Sequence, residues 1–383
     1  MKVVHLCNLP VPKEHPDYEK VSCHPGRWVL NLAIAQSAHA DIQPELIVQI
    51  PGAARDYTKV IEGIPVHFLA APDRLRAATL FYFDTRRIAA RALALSPDLV
   101  HAHGTEDAYA LTAVRTKKPS VVTFQGVFRL MNRLLPPPIV SRARVQEFCE
   151  GIAARRLRFA IVKSEYGRSA ISAEFPHLKL FSIPNTYIPP IVKPVFDKRN
   201  HDVVFAGTIV PRKGVHTLAA AIAGIAARQT DMRLILFGNT CAESEYGAAQ
   251  VARLREILGD RLIVRGLAPE ADLARGMADA RVLVAPSIEE MFGNQVIEAL
   301  LLGTHVIVTD GTPMAENVRR FGNGDIVPQN DPQRLADAIE MVLNADRFPA
   351  AEATISRIEN YMGPKVVAEQ HYEAYKEVIG GWN

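Results

Sequence analysis

The fold is decided by the stretch Val203-Val204-Phe205-Ala206-Gly207-Thr208-Ile209-Val210-Pro211-Arg212-Lys213-Gly214-Val215. It begins as an apolar, β-branched run, passes through a glycine turn, and ends in a cationic pair where a helix should start. A strand, a tight turn and a helix form the unit from which helix-covered parallel sheets are built. Because helix N-termini attract anions, Arg212 and Lys213 mark this turn as a candidate phosphate-binding loop.

The same alternation extends in both directions from this stretch. Apolar runs that predict strands lie at residues 3–6, 46–48, 66–69, 99–100, 121–124, 160–162, 203–206, 234–237, 262–264, 282–284 and 306–308, with alanine-rich helical stretches between most of them. Prolines between Ile183 and Pro194 exclude regular helix or central strand, so we expect a stiff linker there. The sequence therefore predicts an α/β protein with two doubly wound, Rossmann-like domains facing a central cleft, at residues 1–195 and 196–362. A final helix at 363–383, after Gly363-Pro364, is expected to cross back to the first domain.

Composition excludes several classes of protein. Of the 383 residues, 48% are hydrophobic and 22% are charged, which excludes wholesale disorder. No apolar run approaches the roughly 20 residues of a membrane-spanning helix, and the N-terminal apolar run is too short for a secretory leader. Four scattered cysteines predict reduced thiols in a cytoplasmic protein, without a disulfide framework or a zinc site.

Charge is distributed unevenly along the chain. Residues 1–200 carry 27 Lys+Arg against 17 Asp+Glu, a balance of +10, whereas the remainder carries 17 against 24, a balance of −7. Between Arg115 and Arg168 there are 12 basic residues and three acidic ones. Solvated helix faces explain such a pattern as well as a surface for anionic material does. The amphipathic segment Phe128–Leu135 fits either a membrane interface or a buried helix.

A second informative stretch runs from Ala285 to Leu300, APSIEEMFGNQVIEAL. A buried strand ends here, a loop follows, and a helix is predicted to start near Asn294, a good N-cap residue. Glu290 falls in the loop at the carboxyl end of the strand, and Glu298 lies within an apolar helical run. Either Glu298 accepts hydrogen bonds from a diol such as a sugar or ribose, or it occupies the exposed edge of the helix. Gly293 would let a ligand approach the backbone.

These segments resemble the retaining nucleotide-sugar glycosyltransferases of family 4, which have the two-domain GT-B architecture. The family pattern P-S-x-x-E-G-F-G, with a second Glu eight positions after the first, appears here as Pro286, Ser287, Glu290, Phe292, Gly293 and Glu298. The similarity spans nearly the whole chain and includes Gly207 to Gly214, Phe237-Gly238, Arg265-Gly266, Ser164 to Tyr166, Pro184-Asn185, and Gln370, Tyr372 and Tyr375.

The resemblance implies roles for particular residues. Glu298 would bind the ribose of the donor nucleotide, Glu290 would bind the transferred sugar, and Lys213 would neutralise the diphosphate. The remaining donor-binding residues would be Gly26, Thr208, Arg212, Gly238, Arg265, Gly266, Met291, Phe292, Gly293 and Asn294.

Three positions depart from the family pattern. Thr208 stands where the family usually has Arg, Gln125 where it usually has His, and Met291 where it usually has Gly. Thr208 removes one of two cations from the diphosphate site, for which Arg212 is a candidate substitute. Gln125 still offers a hydrogen bond to an acceptor or donor sugar but cannot carry a proton.

The segment His101-Ala102-His103-Gly104-Thr105-Glu106-Asp107 follows a strand of the first domain. Two alternate histidines can share a face, but the sequence shows no third metal ligand, so no metal site is predicted. We expect His101 to be a packed strand residue. His103 and Glu106 lie where an acceptor should enter, and either is a candidate to orient or deprotonate its hydroxyl group.

The sequence thus predicts a metal-independent, retaining glycosyltransferase of the hexosyltransferase type that uses no cofactor. Its donor would be a UDP- or GDP-sugar, and its acceptor a sugar or lipid-linked hydroxyl in cell-surface polysaccharide or glycolipid synthesis. Nucleic acid is not an expected partner. The expected location is the cytoplasm, with peripheral contact at the inner face of the cytoplasmic membrane left open.

Two alternatives are weighed against this prediction. A non-catalytic nucleotide-sugar-binding relative would keep the paired glutamates while losing the family His and Arg. A nicotinamide-dependent dehydrogenase would also use Rossmann domains, but neither first turn, Cys23 to Arg27 or Gly207 to Ile209, shows the GxGxxG fingerprint.

Overall fold

The structure, a computed structural model, describes residues 1–18, 26–105, 108–134, 136–187, 189–196, 200–239, 245–345 and 351–382. The chain separates into two compact units, Met1–Ile188 with Met362–Asn383, and Pro189–Tyr361. The division falls within the proline-rich linker, earlier than the expected boundary after residue 195. Val195 N–H donates to the Leu302 carbonyl at 3.3 Å, which ties the end of the linker to the second unit.

The strands are β1 (Lys2–Cys7), β2 (Gln43–Pro51), β3 (Tyr57–Ile61), β4 (Ile64–Ala71), β5 (Leu99–His103), β6 (Ser120–Thr123), β7 (Phe159–Val162), β8 (Lys179–Ser182), β9 (Asp202–Ala206), β10 (Arg233–Phe237), β11 (Leu262–Gly266), β12 (Val282–Ala285), β13 (His305–Thr309) and β14 (Gly324–Val327). The helices are α1 (Trp28–Ser37), α2 (Tyr82–Ala94), α3 (Tyr109–Thr116), α4 (Phe128–Leu134), α5 (Arg142–Ala154), α6 (Glu165–Glu174), α7 (Val215–Ile225), α8 (Glu245–Leu258), α9 (Glu270–Asp279), α10 (Asn294–Leu301), α11 (Pro313–Phe321), α12 (Pro332–Asn344), α13 (Ala351–Met362) and α14 (Pro364–Gly380).

Within its described residues, the first unit contains one eight-stranded sheet in the order β3-β4-β2-β1-β5-β6-β7-β8. Adjacent strands are parallel except at β3 and β4. Every residue of β5, β6 and β7 is buried, as expected of strands with helices on both faces. Helix α14 follows the second unit in sequence but packs with the first, against α1.

The antiparallel edge strand β3 was not predicted from the sequence. Its residues alternate between half-buried and exposed positions, so it lacks the apolar run by which the central strands were found. The two-residue turn Glu62-Gly63, with φ values of 48° and 83°, closes the β3–β4 hairpin. A glycine-containing pair between two short runs is the sequence signal that would have found it.

The second unit is also built on one sheet. In its described part this sheet has six parallel strands in the order β11-β10-β9-β12-β13-β14. Val203, Phe205, Leu234, Val284 and Ile307 project from the strands into one apolar cluster with residues of α7 and α12. Because all neighbouring strands are parallel, their carboxyl ends lie along one edge. The loops after β9, β10 and β12, which hold most of the predicted donor-binding residues, start from that edge, and Arg265 and Gly266 end β11 there.

Candidate functional site

The loop after β9 and the loop after β12 pack directly against each other. Gly214 has φ +69°, and a Cβ atom at this position would lie only 1.9 Å from the Pro286 carbonyl oxygen. Glycine is therefore required both by the backbone conformation and by the close approach. The Ile288 N–H donates to the Arg212 carbonyl at 2.8 Å, which fixes the two loops to each other. Residues 77 positions apart in sequence, Lys213 and Glu290, consequently meet.

Lys213 and Glu290 form a buried ion pair. The Lys213 Nζ donates to Glu290 Oε2, and the two side chains are only 10% and 15% exposed. The Met291 N–H donates to the other carboxylate oxygen at 3.1 Å, and Arg212 Nη1 lies 4.0 Å from Oε2. Burial alone would raise the pKa of Glu290, but Lys213 and Arg212 outweigh it and hold the pKa below its ordinary value. Glu290 is therefore ionised at neutral pH.

Glu289 is a member of this site that sequence reasoning missed. Its side chain is buried, and among the described residues nothing hydrogen-bonds to its Oε1 atom. Burial raises the pKa of Glu289, and the neighbouring Glu290 carboxylate raises it further, against the opposing charges of Arg212 and Lys213. The two adjacent acids thus have opposite pKa shifts. The only signal in the sequence was the Glu-Glu pair itself, which does not say which carboxyl group is buried without a partner.

The start of α10 differs slightly from the prediction. The helix begins at Asn294, but the N-cap is Gly293, with φ +82°, and Asn294 is the first helical residue. A Cβ atom on Gly293 would lie 2.4 Å from Met314 Cγ, so packing as well as the backbone conformation requires glycine. Met291, Phe292 and Gly293 are all buried beside Glu290. This loop therefore places the backbone of residues 291–293 next to the Glu290 carboxylate at the carboxyl end of β12.

The sequence left open whether Glu298 binds a diol or only occupies the exposed edge of its helix. In the structure, Glu298 lies on the exposed side of α10. Protein atoms around the carboxyl group reduce its hydration, and Glu270 places a second negative charge nearby. Together these raise the pKa of Glu298 to about 7. Hydrogen bonds from hydroxyl groups would stabilise the ionised form of this carboxyl group, so the position of Glu298 is also compatible with binding a diol.

The other predicted donor-binding positions lie at the ends of neighbouring strands. The Gly207 N–H donates to the Phe237 carbonyl at 2.8 Å, and the Gly238 N–H donates to the Gly266 carbonyl at 2.7 Å, which aligns the ends of β9, β10 and β11. Thr208 and Arg265 are exposed. Arg265 also lines a cavity of about 530 Å³ between α9 and the sheet, which Gly238, Gly266 and Glu290 do not line.

Gly26, assigned to the donor site by resemblance, belongs to the first unit and lies just before α1. A Cβ atom there would lie 1.6 Å from Cζ3 of Trp28, so the indole ring packs where any other side chain would begin. Glu106, the second acceptor candidate, lies outside the described residues.

In the first unit the paired strands β1 and β5 bring three histidines together. His5, absent from the sequence prediction, supplies the third ring: the nitrogens of His5, His101 and His103 lie within 4.8 Å of one another. The expectation that the His101–His103 pair has no third potential ligand was therefore wrong. However, both ring nitrogens of His5 and both of His101 have protein hydrogen-bond partners, so hydrogen bonds alone satisfy these two rings. The donor set fits a hydrogen-bonded network better than a metal site.

His101 is fully buried in β5, as predicted, and His103 is 5% exposed. Burial lowers the pKa of His103 well below its ordinary value, and the charges of His5, Lys163 and His371 would lower it further. His103 is consequently neutral at physiological pH. It lines a narrow crevice together with Trp28, Lys163 and other residues, Leu32, Thr123, Ile161, Ile183, Pro184, Asn185, Thr186 and His371.

Gln125, the position where the family usually has His, contacts Lys163. The Lys163 Nζ donates to Gln125 Oε1, whereas the buried Gln125 Nε2 has no hydrogen-bond partner within the described chain. Lys163 was not predicted as a site residue. Its signal is a lysine placed directly after the fully apolar strand β7, at the same edge as His103. The first unit thus presents a neutral histidine, an amide and a cation at one sheet edge.

Comparison with known proteins finds relatives among the glycosyltransferases. The family model described as glycosyl transferases group 1 matches residues 200–345. The chain is 31% identical over 270 residues to the phosphatidyl-myo-inositol mannosyltransferase of Mycobacterium leprae, covering 69% of this chain and 65% of that relative. It is 26% identical over 355 residues to the D-inositol 3-phosphate glycosyltransferase of Jonesia denitrificans, covering 82% of each.

Solved structures show the same fold. The sucrose-phosphate synthase of Thermosynechococcus elongatus superposes with a TM-score of 0.80 at 19% identity, covering 99% of both chains. The HepE protein of Anabaena, solved in complex with UDP-glucose, gives a TM-score of 0.73 at 17% identity, covering 98% of this chain and all of that one. The fold is therefore that of the GT-B glycosyltransferases. In sequence the chain is similar to the group 1 glycosyl transferases over residues 200–345, which agrees with the resemblance to family 4 noted from the sequence.

Proposed function

We propose that this chain is a retaining glycosyltransferase that moves a sugar from a nucleoside diphosphate to an acceptor hydroxyl group. The observation that carries the proposal is the buried Lys213–Glu290 pair, set between two strand-end loops with Arg212 beside it. The family model that matches residues 200–345 and the relatives' names, which include a mannosyltransferase and an inositol phosphate glycosyltransferase, support the same activity.

In the proposed reaction, the donor diphosphate takes over Lys213 and Arg212 as its counter-charges, which frees the Glu290 carboxylate for hydroxyl groups of the transferred sugar. Backbone groups of Phe292, Gly293 and Asn294 hold sugar and phosphate. The bond from the anomeric carbon to the phosphate oxygen breaks, and the bond to the acceptor oxygen forms on the same face. The acceptor proton passes to the departing phosphate oxygen, so the protein supplies position and charge and no nucleophile.

For the donor, Glu298 would bind the ribose and the Arg265-Gly266 turn would flank the base. UDP-sugars and GDP-sugars are both consistent with these residues, and HepE is a GT-B protein solved with UDP-glucose. No metal or cofactor has a part in the proposed reaction. For the acceptor, the basic first unit favours an anionic, lipid-linked or phosphorylated hydroxyl compound, which agrees with the inositol-containing acceptors named for the relatives.

Contact with a membrane surface is the second part of the proposal. Among the described residues no helix combines the length and apolarity needed to cross a bilayer. The described residues of helix α4 are mostly half-buried, and its Arg129 and Arg133 pair with Glu174. Two strongly exposed apolar residues lie just beyond it: Ile139 is 90% exposed and Val140 is 95% exposed. Apolar residues flanked by arginines are suited to an anionic membrane interface.

The test is the melting temperature of the protein against a panel of UDP-, GDP- and ADP-sugars, followed by product analysis with lipid extracts and inositol phosphates as acceptors. We expect one nucleotide class to raise the melting temperature and its sugar to appear in the product with the donor's anomeric configuration. Stabilisation without any turnover would contradict the proposed activity, and a product of inverted configuration would contradict the proposed stereochemistry.

A further inference from the structure

A continuous chain of buried hydrogen bonds runs from the last helix to His103. Gln36 of α1 lies at its centre: Oε1 is 2.8 Å from His5 Nε2, and Nε2 is 2.9 Å from the Tyr375 hydroxyl of α14. On one side His5 Nδ1 lies 2.9 Å from His103 Nε2. On the other side the Tyr375 hydroxyl lies 2.7 Å from His101 Nδ1, whose Nε2 lies 2.7 Å from Thr123 Oγ1. All six side chains are at least nine-tenths buried.

The amide of Gln36 gives this chain a direction, because its oxygen only accepts and its nitrogen only donates. His5 Nε2 faces the oxygen and therefore carries the hydrogen. A neutral imidazole has one N–H, so His5 Nδ1 accepts and His103 Nε2 must donate to it. Burial lowers the pKa of His5 to about 3, which agrees with a neutral ring. In the other branch, Tyr375 accepts from Gln36 and donates to His101.

We infer that Gln36, held by Tyr375 of the C-terminal helix, fixes His103 in the Nε2–H tautomer through His5, so that His103 presents the lone pair of Nδ1 to an acceptor hydroxyl group. This inference rests on the proposed function, since it assumes that the crevice beside His103 receives the acceptor. The crevice has a volume of about 10 Å³, the space of one hydroxyl group or one water, and Lys163 also lines it.

The chemical consequence is a division of roles. A neutral histidine with a strongly lowered pKa is a weak base, so His103 orients the acceptor O–H while the departing phosphate takes the proton. His103 would touch the substrate. Gln36, His5 and Tyr375 would not, and they are positioning residues that act through His103. The last helix, α14, thereby supplies the hydroxyl group that orients the amide of α1.

The direct test is a long-range ¹H–¹⁵N correlation spectrum of the full chain labelled at histidine, in which the two neutral tautomers give distinct patterns. The His103→Asn variant identifies the His103 signals. We expect the Nε2–H pattern for His103. An Nδ1–H pattern would overturn the inference, because a reversed Gln36 amide reverses every bond in the chain. Zinc retained at one equivalent per chain and lost in His5→Asn would also overturn it, because a metal takes up the lone pairs.

A second test uses variants and does not depend on the spectrum. Tyr375→Phe removes the hydroxyl group that anchors Gln36, and Tyr372→Phe on the same helix is the matched control, since its ring stacks on His39 outside the network. We expect Tyr375→Phe to lower kcat for transfer about tenfold with unchanged donor KM and unchanged donor hydrolysis in the absence of acceptor. Equal transfer rates in the two variants, at equal melting temperatures, would contradict the positioning role.

The conservative replacement separates positioning from mere packing. Gln36→Glu keeps an oxygen facing His5 and so preserves the Nε2–H tautomer of His103, whereas Gln36→Met removes the acceptor at similar size. Transfer should be retained largely in Gln36→Glu and lost in Gln36→Met, and the reverse order would overturn the inference. Should the wild-type protein turn over no donor at all, the proposed function fails, while the tautomer of His103 is still decided by the spectrum.

Discussion

At the scale of single residues, the site is organised by charges that compensate each other. Lys213 and Glu290 lie together in a largely buried environment, and the charge of each offsets the cost of burying the other. The sequence motifs predicted both residues, because each belongs to a recognisable loop. Glu289, Lys163 and His5 were missed because their importance depends on burial and on neighbours from distant strands. Spacing along the chain carries no such information.

Replacing Lys213 tests this charge compensation. Lys213→Ala leaves Glu290 with only the more distant Arg212 and removes a cation from the diphosphate, so donor turnover should fall by about 100-fold or more. The assay is release of nucleoside diphosphate at saturating donor. Arg228→Ala, which removes an exposed cation paired with Glu340 in the same unit, is the control and should retain full activity. Equal activities in the two variants would exclude Lys213 from the reaction.

Glu298 should make nucleotide binding depend on pH. The ionised carboxylate accepts both ribose hydroxyl groups, so affinity should fall as the pH drops through about 7, by up to about tenfold per pH unit. The stability of the chain alone changes in the opposite direction: because the folded pKa is raised, this contribution is fully present below about 4.5 and is lost as the pH rises through about 7. Calorimetric titration from pH 5.5 to 8.5 measures the affinity, and Glu298→Gln should flatten its pH dependence. An unchanged slope in that variant would remove Glu298 from the ribose site.

At the scale of elements, central strands were predicted well and edge elements poorly. The buried strands can be recognised in the sequence as apolar, β-branched runs, because helices cover both of their faces. Strand β3 and the short strands β8 and β14 contain half-exposed residues, so no run marks them. The cap of α10 was displaced by one residue because a close approach to Met314 requires glycine at the position before Asn294.

The contact between the loops after β9 and β12 gives a prediction at this scale. Gly214→Ala adds a methyl group against the Pro286 carbonyl and so should separate Lys213 from Glu290. Gly259→Ala is a matched control, because Gly259 also has a positive φ, +56°, but a Cβ atom there meets nothing within 4 Å. We expect the control to lose about 1–2 kcal/mol of stability from the backbone conformation alone. Gly214→Ala should lose more and should no longer be stabilised by nucleotide.

Denaturant unfolding with and without nucleotide measures both effects. Nucleotide stabilisation that is equal in Gly214→Ala and Gly259→Ala would show that the loop contact does not build the donor site. A stability loss in Gly214→Ala no larger than in the control would show that the clash is relieved elsewhere.

At the scale of the whole molecule, the sequence predicted two α/β units, a proline-rich connection and a terminal helix, because these follow from alternation and composition. The basic first half suggested an anionic surface without locating it. In the structure, Arg129 and Arg133 of the segment Phe128–Leu135 are paired with Glu174, whereas Ile139 and Val140 are exposed. We therefore propose Ile139 and Val140 as the membrane contact. Residue burial, which decides between these segments, is not visible in the sequence.

Membrane binding is tested at this scale with vesicles. Ile139→Ser with Val140→Ser should reduce co-sedimentation with vesicles that contain phosphatidylglycerol and leave donor hydrolysis unchanged, since these residues lie outside the donor loops. Val60→Ser, which replaces an apolar residue 62% exposed on β3 of the same unit, should bind vesicles as the wild type does. Identical sedimentation of the two proteins would contradict a role for Ile139 and Val140.

The most direct measurement is the release of nucleoside diphosphate from UDP-, GDP- and ADP-sugars by the wild-type chain and by Glu290→Gln. If the Lys213–Glu290 site binds and activates a nucleotide sugar, the wild type will turn over one donor class, and Glu290→Gln will lose most of that rate while keeping its fold. Turnover that is unaffected by Glu290→Gln, or no turnover of any donor with acceptor present, would contradict the assignment of this site.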